Sequence, residues 1–162
     1  MQAWYFAYGS NLDPRTFLGR RRMRPSAVRA ARLLGYRLVF DLPIGPGERA
    51  VANVEPHPDS LIHGVAYQLS VEQAAFLDRT EGVPHGAYRR IEVDLDLDDD
   101  SSLRAFTYES SRRTGGRKPS RRYLGLLLHG AQHHGLAPEW IAWLRDHPIA
   151  VDERDPQREL FE

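Results

Sequence analysis

The chain has 162 residues, the size of one domain and not two, so a single compact core is expected. Basic and acidic side chains balance at 22 each, which leaves no global field to hold a polyanion, and the 41% hydrophobic content excludes a disordered chain. There is no cysteine, which excludes a disulfide framework, a thiolate metal site, an iron–sulfur cluster and a cysteine nucleophile.

Residues 3 to 8 are apolar or aromatic throughout and read as a strand buried on both faces. Gly9-Ser10-Asn11 ends it, and Asp13-Pro14 offers an N-cap followed by proline at the first position of a short helix. A basic connection, 20–25, leads to an extended stretch over 29–40 and a loop at 43–47. Two strands are expected at 50–55 and 61–69, paired as a hairpin across the turn signal Pro56-His57-Pro58-Asp59. Ser70 and Gln73 have the spacing of a capping box, so a helix should run from there to about Arg79 and close at Gly82.

Strict alternation from Arg89 to Asp98 puts Ile91, Val93, Leu95 and Leu97 on one face of a strand, with Arg90, Glu92, Asp94 and Asp96 on the other. A turn at 98–102 leads into another strand, Leu103 to Tyr108, and the Ser/Arg/Gly-rich stretch 110–118 reads as a mobile loop. Pro119 starts the longest helix, whose Leu124, Leu127, Leu128 and Ala131 form an apolar stripe ended by Gly135. Pro138 opens a last helix bearing Trp140, Ile141 and Leu144, and a charged, frayed tail is expected over 151–162. Strands first and helices last give an α+β class, with strands enough for a curled sheet or small barrel over a domain of 1–150.

Several constellations bear on chemistry. A buried strand running through Gly9 into a helix start converges backbone N–H groups, which suit a carboxylate or phosphate, although an ordinary capped turn has the same spacing. Glu81, placed before Gly82 and beyond the apolar pattern of its helix, is either a solvated carboxylate or a half-buried one with a raised pKa, fit for acid/base work. Tyr88 shares parity with Arg90 and Glu92, so it faces solvent or a site; Tyr108 ends a strand and Tyr123 starts a helix. His129 and His133 have the i, i+4 spacing of a zinc pair but lack a third ligand in register, and Ser10 lacks the second glycine of a nucleophile elbow. No metal site is expected.

In their order along the chain these signals resemble one family. Tyr5-Phe6-Ala7-Tyr8-Gly9-Ser10-Asn11-Leu12, then Leu77-Asp78-Arg79-Thr80-Glu81-Gly82-Val83 with Tyr88 downstream, then Tyr108 and Pro119-Ser120-Arg121-Arg122-Tyr123, are similar to the motifs of γ-glutamylcyclotransferases of the AIG2-like superfamily. The resemblance implies a small mixed β-barrel with flanking helices and an active site at the barrel mouth. It implies Glu81 as the general acid/base, the loop Tyr8, Gly9, Ser10, Asn11 and Leu12 as the binder of the γ-glutamyl unit, and Tyr88, Tyr108 and Tyr123 as pocket walls. The Ser-Asn form of the loop is closer to relatives acting on γ-glutamyl amino acids than to those acting on glutathione or γ-glutamyl amines.

The implied reaction is attack by the substrate's own α-amino nitrogen on its γ-carbonyl, closing 5-oxoproline and expelling an amine, so no cofactor is expected. The expected partner is a small γ-glutamyl substrate, with no nucleic acid and no membrane, in a cytoplasmic monomer or homodimer; no apolar run approaches ~18 residues and no positive side chain precedes Arg15. The Arg-rich segment 110–118, through Arg112 and Arg113, is the expected reader of an anionic amine half. A non-catalytic binding member of the same fold, or a nucleic-acid-associated protein using the arginine clusters, are the alternative readings.

Overall fold

The computed structural model describes residues 1–151; the expected charged tail lies outside the described residues. Five strands, β1 (Gln2–Ala7), β2 (Ala27–Pro43), β3 (Ala50–Ser70), β4 (Arg89–Leu97) and β5 (Ser102–Glu109), close into a barrel in the order β1-β3-β2-β4-β5. Neighbours are antiparallel except β1 and β5, which meet in parallel at Tyr5 and Phe106 and make the barrel mixed. Helices α1 (Val71–Thr80), α2 (Arg121–His133) and α3 (Pro138–Asp146) flank it. The α+β class and the small mixed barrel are therefore as the sequence indicates.

The hairpin is a correction. Residues 50–55 and 61–69 do not pair with each other; they are two halves of the continuous strand β3, and both pair with β2. The register passes from Leu34↔Leu61 to Tyr36↔Pro56, so 57–60 bulge outward opposite Gly35. Ser60 Oγ lies 2.7 Å from His57 Nδ1 across the base of this excursion. A Pro-x-Pro-Asp turn signal thus marks a bulge within one ladder, which bends the long hairpin instead of ending it. The bend has a use: β2 reaches β4 only at Ala31 and Arg32, so the far half of the hairpin projects past the barrel wall and carries Asp41, Ala52 and Asn53 to the barrel mouth.

Other local signals hold in part. Ser70 Oγ accepts a hydrogen bond from Gln73 N–H at 3.1 Å, but the capping box is only half made. The Gln73 amide instead accepts from Arg24 N–H (2.8 Å) and donates to Arg24 O (3.2 Å), tying the basic connection to α1. The helix expected from Pro119 begins at Arg121, with Ser120 Oγ as the cap for Tyr123 N–H. The short helix after Asp13-Pro14 is a π-helical turn, Arg15–Arg20.

The core is continuous from the barrel interior to α2. Phe6, Val65, Leu69, Leu77, Leu95 and Leu127 are fully buried, each contributing roughly 1.5–3 kcal/mol of hydrophobic stabilisation. Phe17 stacks on Tyr67 with ring centroids 4.1 Å apart, which fastens the π-helical turn over the barrel end. α2 then crosses the 3-10 turn Ser10–Leu12 at Gly130, where an added Cβ would stand 2.4 Å from the Leu12 carbonyl carbon. Only glycine allows that approach, and it sets the floor of the site.

Candidate active site

β1 delivers Tyr8 to the barrel mouth, and Gly9-Ser10-Asn11-Leu12 then turns beneath α2, with Leu12 N–H donating to Gly9 O (3.0 Å) and Asp13 N–H to Ser10 O (3.1 Å). From the other side α1 ends at Glu81, whose N–H donates to Leu77 O at 2.9 Å. Gly82 follows at φ +71°, a left-handed turn that sends the chain through the 3-10 turn Val83–His85 toward Tyr88. Helix end and loop meet at Asn11.

Asn11 is 3% exposed and joins four elements. Its Nδ2 donates to Glu81 Oε1 (2.9 Å) and to the Tyr5 hydroxyl (2.9 Å), while its Oδ1 accepts from Arg21 Nε (2.6 Å). A carboxylate on one side and a guanidinium on the other leave the amide one workable orientation. Arg21 Nη2 also lies 3.8 Å from Glu81 Oε1. Among the described residues nothing bonds to Glu81 Oε2, so one carboxylate oxygen is held and the other is open to the cleft. Burial pushes the Glu81 carboxyl above the usual carboxylate range, and the Arg21 charge and the Asn11 hydrogen bond only partly oppose it.

The cleft is walled by Tyr5, Tyr8, Tyr88, Tyr108 and Tyr123, floored by Gly9, Ser10 and Asn11, and closed by Ala52 and Glu81; its free volume is about 30 Å³, room for a couple of waters. The tyrosines are anchored through their hydroxyls. Tyr8 donates to Tyr108 O (2.6 Å), Tyr88 to Ala52 O (2.7 Å) and Tyr108 to Asp78 Oδ1 (2.6 Å), while Tyr123 accepts from Ala52 N–H (3.0 Å). Burial raises the pKa of each, so they stay neutral phenols in neutral solution.

Eight of the nine residues singled out from the sequence, Glu81, Tyr8, Gly9, Ser10, Asn11, Tyr88, Tyr108 and Tyr123, come together here. Leu12 does not line the cleft: it is fully buried under α2, where its carbonyl lies 3.0 Å from His134 Nε2. Arg112 and Arg113 are elsewhere too. Arg113 is spent on Asp41 (2.9 Å) and Val54 O (2.7 Å), Arg112 reaches His85 O (2.6 Å), and the loop 110–118 is tied down through Thr114 N–H to Asp41 O and Lys118 N–H to Glu48 O. This segment is a strap on the hairpin.

The sequence reading missed Tyr5, Arg21 and Ala52. Arg21 sits in a run of arginines with nothing to single it out, and Ala52 acts only through its backbone. Tyr67 and His134 support the loop from beneath, Tyr67 donating to Asn11 O at 3.0 Å. Burial and the neighbouring His133 lower the His134 pKa, which suits a neutral ring whose Nε2–H donates to Leu12 O. The His129 Nδ1 lies 3.1 Å from Asp13 Oδ1, and among the described residues no cluster of three or more His, Cys, Asp or Glu side chains is placed to hold a metal ion.

The AIG2-like family pattern matches residues 61–144, over half of the chain. A γ-glutamylcyclotransferase of Bos taurus is 31% identical over 143 residues, covering 84% of this chain and 73% of its own. The chain belongs to the AIG2-like, γ-glutamylcyclotransferase family. The γ-glutamyl cyclotransferase aclK of Aspergillus oryzae is 32% identical over 167 residues, covering 90% of this chain and 61% of its own. A solved γ-glutamyl cyclotransferase superposes with a TM-score of 0.82 over 99% of this chain and 98% of that one; at 23% identity the likeness bears on the fold. This chain thus shares the fold of that structure, and its own five-stranded barrel carries the tyrosine-lined cleft. Among the described residues no helix is long and apolar enough to cross a membrane.

Proposed function

We propose that the protein, through residues 1–150, converts a γ-glutamyl amide into 5-oxoproline and a free amine, with Glu81 as general acid/base. The observation that carries this is the state of Glu81: one oxygen fixed by Asn11 and Arg21, the other open to the cleft, and the carboxyl made more basic by burial. In the proposed reaction Glu81 takes a proton from the substrate's α-ammonium, and the freed nitrogen attacks the γ-carbonyl to close a five-membered ring. The C–N bond to the leaving amine then breaks. Two protons leave the attacking nitrogen and both end on the departing one, with Glu81 relaying them. A base made stronger by burial suits such a relay, and holding amine and carbonyl at attack distance contributes up to about 7–11 kcal/mol in well-oriented cases.

The remaining groups have binding parts. Asn11 presents a backbone N–H that the turn does not use between Leu12 and Gly9 or between Asp13 and Ser10, and it is the donor assigned to the glutamyl carboxylate or the developing oxyanion, the Ser10 N–H being directed at the Tyr123 hydroxyl. Tyr8, Tyr88, Tyr108 and Tyr123 enclose the aliphatic chain and exclude water.

The test is a panel of γ-glutamyl amino acids, glutathione and γ-glutamyl-lysine, assayed for 5-oxoproline, with β-aspartyl-alanine as a control. At least one γ-glutamyl compound should cyclise, and the β-aspartyl compound should not, since the same attack would close a strained four-membered ring. No 5-oxoproline from any member of the panel would leave the protein a binding module of this family.

A further inference from the structure

A second cleft, of about 250 Å³, lies against the first, and Ser10 and Tyr123 line both. Its rim differs from the tyrosine cleft in kind. Arg20 from the π-helical turn, Arg49 from the start of the hairpin's far half, and Arg122 from the first turn of α2 all line it. Among the described residues no acidic side chain lines this cleft and none of the three guanidinium groups has a carboxylate partner. Elsewhere Arg15, Arg21, Arg29, Arg32, Arg37, Arg89, Arg90, Arg104 and Arg113 each have a carboxylate partner. The first turn of α2 contains no acidic residue to offset its positive helix end, so the field at this rim has one sign. Ser120 and Thr16 add hydroxyls, and Ile44 and Leu126 an apolar side.

We propose that this cleft receives the leaving half of the γ-glutamyl substrate, and that the preferred leaving half is an acidic amino acid, or a peptide ending in one, that carries two carboxylates. The inference rests on the cyclotransferase reading above. The γ-glutamyl unit fills the tyrosine cleft, the scissile amide lies at the wall shared by Ser10 and Tyr123, and the amine portion continues into the larger space. A single α-carboxylate satisfies one guanidinium; three arginines without a carboxylate partner among the described residues, and a helix N-terminus, converging on one 250 Å³ space match a dianion. An anion read by arginines on three separate elements is also fixed in orientation, because the carboxylates sit in the forks of groups that do not move together.

The experiment compares γ-glutamyl-glutamate with γ-glutamyl-glutamine, which have nearly the same shape and differ by one charge. In the wild-type protein kcat/KM for the glutamate compound should exceed that for the glutamine compound by about tenfold or more at low salt, and the ratio should fall as ionic strength rises. In the double variant Arg20→Ala, Arg122→Ala the ratio should drop toward one, chiefly through KM for the acidic substrate, with Arg20→Lys, Arg122→Lys recovering part of it. These side chains are exposed, so the variants should fold, and thermal melting checks that they do. A ratio near or below one in the wild type, or a ratio that the double substitution leaves unchanged, overturns the assignment while leaving cyclisation itself in place. If neither compound nor any other γ-glutamyl amide yields 5-oxoproline, the cyclotransferase reading falls and this inference with it.

Discussion

Two buried asparagines organise two sides of the same barrel mouth, and they do so to different ends. Asn53, on the projecting half of β3, is fully buried and has every hydrogen-bonding position used: Nδ2 donates to Asp41 Oδ1 (2.9 Å) and Ser110 O (3.0 Å), and Oδ1 accepts from Val54 N–H and Ser110 N–H, both at 2.9 Å. It fastens the strap 110–118 to the hairpin and leaves nothing reactive. Asn11 is as deeply buried, but one of its partners is a carboxylate with an open oxygen whose proton affinity is raised by burial. A closed polar network rigidifies; one left open at a single titratable atom holds that atom at a site, at some cost in stability.

The largest expected effect breaks the open network without changing its shape. Glu81→Gln should lower turnover about 10²–10⁴-fold, the usual contribution of a general acid/base group, while 5-oxoproline or substrate still binds. The same variant separates function from stability. Because the folded-state pKa of Glu81 lies above its unfolded value, the native state holds this proton more tightly, and the stability that gives is full below the ordinary glutamate range and lost as pH rises through the folded pKa. The melting temperature of Glu81→Gln relative to wild type should therefore climb between pH 4 and pH 8.

Asn53→Ala should do the reverse. It leaves several buried groups unpaired, at about 1–3 kcal/mol each when no water replaces the lost bond. A net loss near 3 kcal/mol would lower the melting temperature by roughly 6–12 °C for a chain of this size, with the turnover of the folded fraction little altered. A thermal melt and an assay well below its midpoint check both halves.

Arg21→Met sharpens the comparison further. It removes a charge that holds the Glu81 pKa down, so the acidic limb of the kcat/KM profile should move to higher pH; a limb that stays in place would mean that Arg21 does not act on Glu81. The smallest effect is expected on the closed side. Arg112→Ala removes one hydrogen bond to an exposed carbonyl, at about 0.5 kcal/mol or less, and should change kcat/KM for charged and neutral substrates alike by less than about twofold.

The contrast also explains what was legible in the sequence. β4 was plain because its alternation is complete, and α2 because its apolar stripe matches one buried face. The loop Tyr8 to Leu12 and Glu81 stand out through motif order, although nothing in their spacing separates a catalytic carboxylate from a solvated one. What joins them is long-range: Asn11 and Glu81 are 70 residues apart, and Tyr8 and the Tyr108 carbonyl 100 apart. Ala52 contributes only backbone atoms, which carry no side-chain signal. The bulge at 57–60 was hidden because Pro, Asp and Ser mark a reversal and an outward excursion with the same letters. Loop position alone points Arg112 and Arg113 at the substrate, whereas Asp41, far off in sequence, pairs with Arg113.

The central claim is that Glu81 is the group whose protonation governs cyclisation, and titrating that carboxyl tests it most directly. With ¹³C-labelled glutamate side chains and Glu81→Gln to assign the resonance, its pKa can be compared with the acidic limb of kcat/KM for a γ-glutamyl amino acid. The account predicts that Glu81 titrates above an ordinary glutamate and that the limb falls at the same pH and vanishes in the variant. A Glu81 carboxyl that titrates at or below the usual value, or a limb that persists in Glu81→Gln, would contradict it.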